Sequence, residues 1–361
     1  MTALIERWIR PEIRTLAAYP IPDSAGLVKL DAMENPYTWP ETLIDSWLEM
    51  LKRTSVNRYP DPEGHQLVAR LREVMAIPEG QGVLLGNGSD ELIQTIALAL
   101  AGPDRVILAP EPGFVMYRMI ARFTGMQYHG VPLLGEDFSL DMDAFLAAIA
   151  RDNPAVIFLA YPNNPTGNHW PRADIEKILQ ASDGLVVVDE AYSPFAADSF
   201  MQDLGRYDNL VVMRTLSKLG LAGLRLGYLC GPAEWLDEFN KVRLPYNINT
   251  LTQLTAEHAL SNMPVFTEQA SWIKQRRVEL IEALGALPGV QVFPSDANFI
   301  LLRVAAGTAG TLFSELLTRG ILIKKLDGSH PLLNDCLRIT VGKPEENARL
   351  VQALTEIMAV C

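Results

Sequence analysis

The stretch that decides the fold is Leu185-Val-Val-Val-Asp-Glu-Ala-Tyr192. A leucine followed by a run of valines predicts a β-strand that is buried on both faces, as in the centre of a parallel sheet. The strand ends in Asp189, and a buried carboxylate is costly unless a cation or a strong donor pairs with it. The sequence therefore predicts that Asp189 contacts a bound cationic group or, alternatively, caps a helix or forms a structural ion pair.

Similar apolar runs alternate with amphipathic stretches from about residue 83 to residue 230. This alternation is typical of successive βαβ units on a mostly parallel, doubly wound sheet. Strands are predicted at residues 106–109, 156–160, 185–189, 210–213 and 226–230, and helices at residues 91–101, 116–123, 141–151 and 172–181. Ligands of such sheets bind at the carboxyl ends of the strands, so the residues after each strand are the candidates for a site.

The pattern changes after Pro245. A long helical stretch over residues 250–287 precedes strands at 298–304 and 337–341, with a helix between them, which predicts a second, smaller α/β layer. We therefore expect an α/β fold with a large domain over residues 42–248 and a small C-terminal domain over residues 249–361. Residues 1–41 are expected to form an N-terminal arm and part of the small domain.

The charge balance argues against nucleic acid as a partner. The chain has 31 basic and 43 acidic residues and a formal net charge of -12, with no segregated basic cluster to meet a phosphate backbone. An anionic small substrate remains compatible with this charge, because a few convergent side chains decide a pocket. No Gly-x-Ser-x-Gly elbow or Gly-x-x-x-x-Gly-Lys-Ser/Thr loop occurs, which argues against a serine hydrolase or a nucleotide-cradling ATPase.

Cysteine and histidine usage predicts neither a disulfide framework nor a metal site. Cys230, Cys336 and Cys361 are far apart and form no Cys-x-x-Cys pair, and the five histidines lack metal-ligand spacing. The N-terminus is interrupted by charge too early for a signal peptide, and no apolar run approaches the ~20 residues of a membrane span. We therefore expect a cytoplasmic protein that has neither a metal nor a membrane partner.

A glycine-rich turn follows a predicted strand in Leu84-Leu-Gly-Asn-Gly-Ser-Asp-Glu91. Backbone N–H groups around Gly88, Ser89 and Asp90, together with the Ser89 hydroxyl, can point at an anion, and the helix dipole favours negative charge there. The turn therefore predicts a phosphate site. The alternative is an ordinary glycine turn in which Ser89 or Asp90 caps the helix.

A second turn, Tyr161-Pro-Asn-Asn-Pro-Thr-Gly167, is dense in turn-forming residues, so an ordinary loop is its alternative interpretation. Asn164 is an uncharged donor at the end of a strand, and it could bond a ring oxygen without changing the charge of the site. A protonated pyridine nitrogen would satisfy Asp189, and Tyr192 could donate to the phenolic oxygen of the same ring.

The segment Thr215-Leu-Ser-Lys-Leu-Gly-Leu-Ala-Gly-Leu-Arg225 follows another strand. Its small and apolar residues should lower the pKa of Lys218 and favour the neutral amine that a Schiff base needs. Thr215, Ser217 and Arg225 are suitable phosphate ligands, and Arg225 offers a bidentate fork. An isolated loop lysine would ordinarily be a solvated charge, but these neighbours favour a reactive amine.

Taken together and in this order, the four motifs resemble the fold-type I pyridoxal-phosphate enzymes of the class I/II aminotransferases, over nearly the whole chain. The resemblance implies that pyridoxal 5'-phosphate is the cofactor and that Lys218 forms the Schiff base with it. It also implies that Phe114, in Pro112-Gly-Phe-Val-Met-Tyr117, stacks on the cofactor ring. The remaining implied contacts are Asp189 with the pyridine nitrogen, Tyr192 and Asn164 with O3', and Ser89, Thr215, Ser217 and Arg225 with the phosphate. Gly88 and Asp90 are further implied cofactor-binding residues.

Further stretches are similar to the histidinol-phosphate aminotransferase family in particular: Leu30-Asp-Ala-Met-Glu-Asn-Pro-Tyr37, Asn57-Arg-Tyr-Pro-Asp-Pro62 and Cys336-Leu-Arg-Ile-Thr-Val-Gly342. This likeness implies a homodimer in which Tyr59 reaches the cofactor phosphate of the neighbouring subunit. It implies that Arg338 holds the amino-acid carboxylate, that Tyr19 lies near the substrate phosphate and that Asn35 belongs to the substrate site.

The chain departs from that family at two places. Met33 stands where the family often has Asn, and Lys324 or Lys325 stands where an arginine would contact the substrate phosphate. Lysine can meet a phosphate as a point charge, but it lacks the planar fork of arginine.

The family implies transamination between glutamate and imidazole-acetol phosphate, a step of histidine biosynthesis. Aromatic or broad-specificity transamination and decarboxylation of a phosphorylated amino acid are the alternatives on the same scaffold. A ligand-sensing regulator is a rival of another class, but the sequence before residue 83 is too short and too weakly basic for a DNA-binding module.

Overall fold

The computed structural model describes residues 2–18 and 22–359. Its first elements are helices α1 (Thr2–Trp8) and α2 (Pro11–Arg14), strand β1 (Val28–Leu30), and helices α3 (Glu41–Lys52) and α4 (His65–Val74). Within these residues, no helix combines the length and apolar character that crossing a bilayer would require.

A seven-stranded sheet occupies the centre of the larger layer within residues 22–359. Its strands and the helices between them are β2 (Gly82–Gly86), α5 (Ser89–Leu100), β3 (Val106–Glu111), α6 (Val115–Thr124), β4 (Gln127–Pro132), α7 (Met142–Asp152), β5 (Val156–Ala160), α8 (Arg172–Ala181), β6 (Leu185–Asp189), β7 (Leu210–Thr215), β8 (Gly227–Gly231) and α9 (Ala233–Asn240). The strand order is β2-β8-β7-β6-β5-β3-β4, and β8 runs antiparallel to both of its neighbours while the other adjacent pairs are parallel.

Helices cover both faces of this sheet. Helices α5, α6 and α9 pack on one face, and α4, α7 and α8 pack on the other. Every residue of β5 and β6 is therefore buried, which explains why both strands are continuous apolar runs rather than alternating patterns. Asp189 is also buried, but it is the one charged residue of β6, and it lies at the carboxyl end of the strand.

A smaller five-stranded sheet lies within the same described residues, in the order β1-β11-β12-β10-β9. The elements after α9 are α10 (Thr250–Ser261), α11 (Met263–Gly285), β9 (Gln291–Val292), β10 (Phe299–Arg303), α12 (Ala309–Thr318), β11 (Ile321–Lys325), β12 (Cys336–Thr340) and α13 (Pro344–Met358). Apolar residues of α11, α12 and α13 form the core against this sheet. Strand β1 pairs in parallel with β11, so part of the N-terminal segment lies in the small layer.

The predicted α/β fold class is confirmed, and so are the predicted strands and helices of the large layer, to within a few residues at their ends. One helical stretch differs from the prediction, because it divides at Asn262 into α10 and α11. Pro264 explains the division, since proline has no N–H for the preceding turn and is tolerated at the start of a helix. Helix α10 packs with α3 and α4 beside the large sheet.

Candidate active site

A cavity of about 390 Å³ lies at the carboxyl ends of the strands of the large sheet. The strand register explains the convergence, because Ala160, Asp189 and Met213 lie side by side at the ends of β5, β6 and β7. Its volume is within the usual range of small-molecule sites. The predicted site residues in its wall are Ser89, Asp90, Phe114, Asn164, Asp189, Tyr192, Thr215, Ser217, Lys218 and Arg225.

The other predicted site residues that the structure describes do not line this wall. Tyr59 is 79% exposed and stacks on Tyr246, with ring centroids 4.4 Å apart. The amide nitrogen of Asn35 donates to Leu219 O at 3.0 Å, so its contact is with the segment around Lys218. Gly88 and Arg338 contact residues of the wall, and Lys324 lies opposite Arg338 in the small sheet. Tyr19 lies outside the described residues.

The floor of the cavity is Asp189, whose side chain is buried. Its Oδ1 accepts a hydrogen bond from the backbone N–H of Ala191, and its Oδ2 accepts one from the Tyr117 hydroxyl at 2.7 Å. Burial raises its pKa to about 6, although the Tyr117 bond acts in the opposite direction. The described residues supply no salt-bridge partner for Asp189, so the predicted alternative of a structural ion pair does not apply. The carboxylate can therefore receive a cationic ligand group.

A chain of hydrogen bonds connects the large sheet with the small one. Asn164 Nδ2 donates to the Tyr192 hydroxyl at 2.9 Å, and Arg338 Nη1 donates to Asn164 Oδ1 at 2.5 Å. Arg338 Nη2 also donates to Asp31 O at 3.1 Å. Two polar groups from the large layer and one cation from the small layer are therefore held at one side of the cavity.

The opposite end of the cavity is rich in hydrogen-bond donors. Thr215 Oγ1 donates to Ser217 Oγ at 2.9 Å, and the Arg225 guanidinium lies close to Gly88 and 3.5 Å from Asp90 Oδ2. Helix α5 begins after Gly88 without any side-chain cap, so neither Ser89 nor Asp90 acts as the N-cap. The uncapped N–H groups favour an anion at this end.

Two glycines permit this close approach. Gly88 has a φ of 86°, and a Cβ built there would lie 2.7 Å from Arg225 Nη2. Gly227, at the start of β8, pairs with Thr215 and with Gly86, and its Cβ would lie 2.8 Å from the backbone N of Ser89. Larger residues at either position would separate the donors from one another.

Lys218 extends into the cavity from the helical turn Ser217–Leu221. Its Nζ donates to Ala32 O at 3.2 Å. Burial lowers its pKa to about 8, and the positive charge of Arg338 acts in the same direction. The shift has the predicted direction, and it makes neutral, nucleophilic amine available at a lower pH than for an ordinary lysine.

The small sheet places one of the two predicted lysines on the same face as Arg338. Lys324 lies directly opposite Arg338 in the antiparallel pair of β11 and β12, whereas Lys325 lies opposite Leu337. Side chains that face each other across a ladder share one side of the sheet, and their neighbours in sequence point to the other side.

Sequence reasoning missed several residues of the site, among them Ala32, Glu34 and Tyr117. Ala32 and Glu34 line the cavity next to Met33, whereas the likeness of residues 30–37 to a known family implied a site role for Asn35 alone. Tyr117 does not line the cavity, but its hydroxyl donates a hydrogen bond to Asp189. An aromatic residue three positions after Phe114 on a helix more often indicates core packing, so the sequence held only a weak signal for this contact.

Among the described residues, no group of three or more His, Cys, Asp and Glu side chains could hold a metal ion. The arrangement instead combines an amine with a lowered pKa, a buried carboxylate that can receive a cation, and a cluster of anion-binding donors. These groups suit an organic cofactor that carries both a phosphate and a basic ring.

The family model for aminotransferases of class I and II matches residues 25–354. A solved structure of histidinol-phosphate aminotransferase from Sinorhizobium meliloti in complex with pyridoxal-5'-phosphate has a TM-score of 0.86 at 25% sequence identity, and the match covers 98% of each chain. The fold is therefore that of the class I and II aminotransferases, and the chain belongs to this family.

Curated relatives are more specific. Histidinol-phosphate aminotransferase 2 of Nitrosococcus oceani is 57% identical over 350 residues, which is 97% of each chain. Histidinol-phosphate aminotransferase of Chromobacterium violaceum is 52% identical over 354 residues, covering 98% of this chain and 99% of the relative. The chain belongs to the histidinol-phosphate aminotransferases of the class I and II aminotransferase family, which confirms the resemblance found in the sequence.

Proposed function

We propose that this protein transfers an amino group from L-glutamate to imidazole-acetol phosphate, giving 2-oxoglutarate and L-histidinol phosphate in histidine biosynthesis. The observation that carries the proposal is the convergence of Lys218, Asp189 and the donor cluster on one cavity. Relatives that share more than half of the sequence are named for histidinol phosphate, which supports the substrate.

The residues of the cavity fit pyridoxal phosphate. Asp189, buried without a cationic partner among the described residues, suits a protonated ring nitrogen, and Asn164 with Tyr192 suits the ring's phenolic oxygen. Phe114 would stack on the ring. The phosphate would be held by the residues at the donor-rich end: Gly88, Ser89, Asp90, Thr215, Ser217 and Arg225. When bound, the cofactor supplies an electron sink for negative charge that develops on the substrate's α-carbon.

Lys218 has two tasks in this proposal. Its neutral Nζ would be the group that attaches the cofactor, and the same Nζ would accept the proton from the substrate's α-carbon. The contact with Ala32 O restricts its position. Burial lowers its pKa, and the neutral amine that this favours can accept a proton. A single flexible amine can therefore serve both half-reactions.

Arg338 is proposed to bind the carboxylate of glutamate, and Lys324 the phosphate of the second substrate. The guanidinium has five N–H donors in a planar fork, which suits a carboxylate, and it lies next to Asn164. Lys324 is favoured over Lys325 because it shares a face of the sheet with Arg338. Tyr19 and Asn35 remain proposed substrate-site residues, Asn35 through its contact with the Lys218 segment.

The visible absorbance of the purified protein tests the function. Glutamate is expected to bleach the yellow colour of the bound cofactor, and imidazole-acetol phosphate is expected to restore it, because each substrate reverses the other's amino transfer. Restoration by phenylpyruvate alone would instead favour an aromatic aminotransferase. Release of carbon dioxide from a phosphorylated amino acid would favour a decarboxylase. A colourless protein that gains no colour when pyridoxal phosphate is added would contradict the cofactor assignment.

We also propose that the protein is a homodimer in which Tyr59 contributes to the neighbouring subunit's site. In a single chain Tyr59 is exposed and stacks on Tyr246, and Val56 and Leu244 nearby in sequence are also largely exposed. Exposed apolar and aromatic groups of this kind are typical of a surface that a partner covers. A symmetric pair of chains would then share two equivalent sites.

Mixed dimers test the shared site. Lys218→Ala and Tyr59→Ala are each expected to be nearly inactive alone, but refolding them together should restore about a quarter of the wild-type activity. Half of randomly mixed dimers pair the two variants, and one of their two sites has both native residues. Two copies of the same variant, mixed in the same way, are the control. An absence of recovery in dimers verified by light scattering would contradict the contribution of Tyr59.

The cytoplasm is the proposed location. Cys230 and Cys336 are free and buried, which suits a reducing compartment. We propose a large domain over residues 42–248 and a small domain over residues 249–361, with residues 1–41 as arm and small-domain segment. The pairing of β1 with β11 supports the assignment of that segment. Helix α10 (Thr250–Ser261) follows the proposed domain boundary in sequence but packs with helices of the large layer.

A further inference from the structure

Asp189 receives a hydrogen bond from a residue that is not in the cavity wall. Tyr117 Oη donates to Asp189 Oδ2 at 2.7 Å. The two side chains are 1% and 3% exposed, so water does not compete for this bond. A hydrogen bond to a charged acceptor in such surroundings is stronger than one between neutral groups.

The two oxygens of Asp189 have different partners. The backbone N–H of Ala191 donates to Oδ1 at 3.1 Å, and Tyr117 donates to Oδ2. Together they determine the rotation of the carboxylate. Both donors also stabilise its charged form and so oppose burial, which raises the pKa of Asp189 to about 6.

Tyr117 is itself held firmly. Its ring stacks on Phe158, with centroids 4.7 Å apart, and meets the edge of Phe114 at 5.5 Å. Phe114 immediately precedes α6, and Tyr117 lies in its first turn. One helix start therefore supplies both the aromatic side of the cavity and the donor to Asp189.

We propose that Tyr117 is a positioning residue, which keeps the Asp189 carboxylate ionised and oriented toward the ring nitrogen of the cofactor. This inference rests on the proposed function, since it needs a cofactor with a basic ring. Loss of the hydroxyl would leave the ring packing in place and remove one of the two hydrogen bonds to the Asp189 carboxylate. The cofactor would then be held more weakly, most of all at pH values where Asp189 begins to gain a proton.

The test is the dissociation constant of pyridoxal phosphate measured on the full-length apoprotein from pH 5.5 to pH 8.5. Tyr117→Phe is expected to weaken binding about tenfold at neutral pH, on the scale of a lost hydrogen bond to a charged group. The decline in affinity on acidification should also begin at a higher pH than in the wild type. The other titratable groups that face Asp189 or Tyr117 are unchanged in this variant: Asp90, Tyr128, Glu190 and Tyr192.

Tyr161→Phe is the matched control. Tyr161 is also buried, and its hydroxyl donates to a different carboxylate, Asp198, at 2.9 Å. The control variant removes the same atom from a similar bond, so any general effect on folding should appear in both variants. Thermal unfolding of both apoproteins measures that effect separately from cofactor binding.

A double-mutant cycle distinguishes positioning from mere packing. In an Asp189→Asn background, the further change Tyr117→Phe should leave the dissociation constant almost unchanged if the hydroxyl acts through the carboxylate. An equal loss in both backgrounds, or a Tyr117→Phe pH profile that matches Tyr161→Phe, would overturn the inference. Failure of the wild-type apoprotein to bind pyridoxal phosphate would instead overturn the proposed function.

Discussion

Lys218→Ala is expected to eliminate the yellow colour of the bound cofactor and to lower kcat by at least ~1,000-fold, within the range for the loss of a positioned acid–base group. The physical reason is that Lys218 is the amine in the cavity with a pKa lowered to about 8. Alanine can neither hold the cofactor covalently nor carry a proton to the α-carbon. Absorbance and single-turnover rates with glutamate measure the two losses separately.

The pH dependence of cofactor loading in the wild type provides an independent measurement of the same residue. Below about pH 8 the Lys218 amine is mostly charged, and above it the amine is mostly neutral. The rate at which the apoprotein regains colour should therefore rise with pH and level off above pH 8. Lys241→Ala, on an exposed salt bridge with Glu238, is the control and should behave as the wild type. Retention of covalently bound cofactor by Lys218→Ala would contradict the assignment.

Arg338→Ala is expected to lower kcat/KM for glutamate by roughly 30- to 4,000-fold, which corresponds to the ~2–5 kcal/mol typical for truncating one partner of a buried charge pair. The variant would lose the cation that meets the substrate carboxylate and would also leave Asn164 Oδ1 without its donor. Half-reaction kinetics, followed by bleaching and recovery of the cofactor's colour, measure the effect on each substrate.

Two further variants separate the roles of charge and geometry. Arg338→Lys keeps the charge but lacks the fork, so it should recover only part of the lost activity. Lys324→Ala should weaken the binding of imidazole-acetol phosphate more than that of glutamate. Lys324 shares a face of the sheet with Arg338 and is the cation proposed to bind the phosphate. Full activity of Arg338→Ala with both substrates would exclude the proposed role of Arg338.

Some elements could not have been predicted from local patterns. Strand β4 is Gln-Tyr-His-Gly-Val-Pro at the edge of the large sheet, where partial exposure permits polar residues and weakens the apolar signal. Strand β11 and the short β1 were also missed. They pair with each other although almost three hundred residues separate them, and a local pattern does not indicate such a pairing. The division between α10 and α11 was missed although Pro264 marks it, because the apolar pattern continues across it.

Local sequence patterns predicted the central strands of the large layer, most of its helices and the segments that end at the cavity. Those features depend on local patterns: apolar runs, turn residues and a carboxylate or lysine directly after a strand. Only the tertiary structure decided which side chains meet across the chain. Arg338 contacts Asn164 over 174 residues, Lys218 contacts Ala32 over 186, and Tyr117 contacts Asp189 over 72. Such contacts depend on sheet register and on the packing of the two layers, and neither property is contained in the neighbouring residues of any one segment.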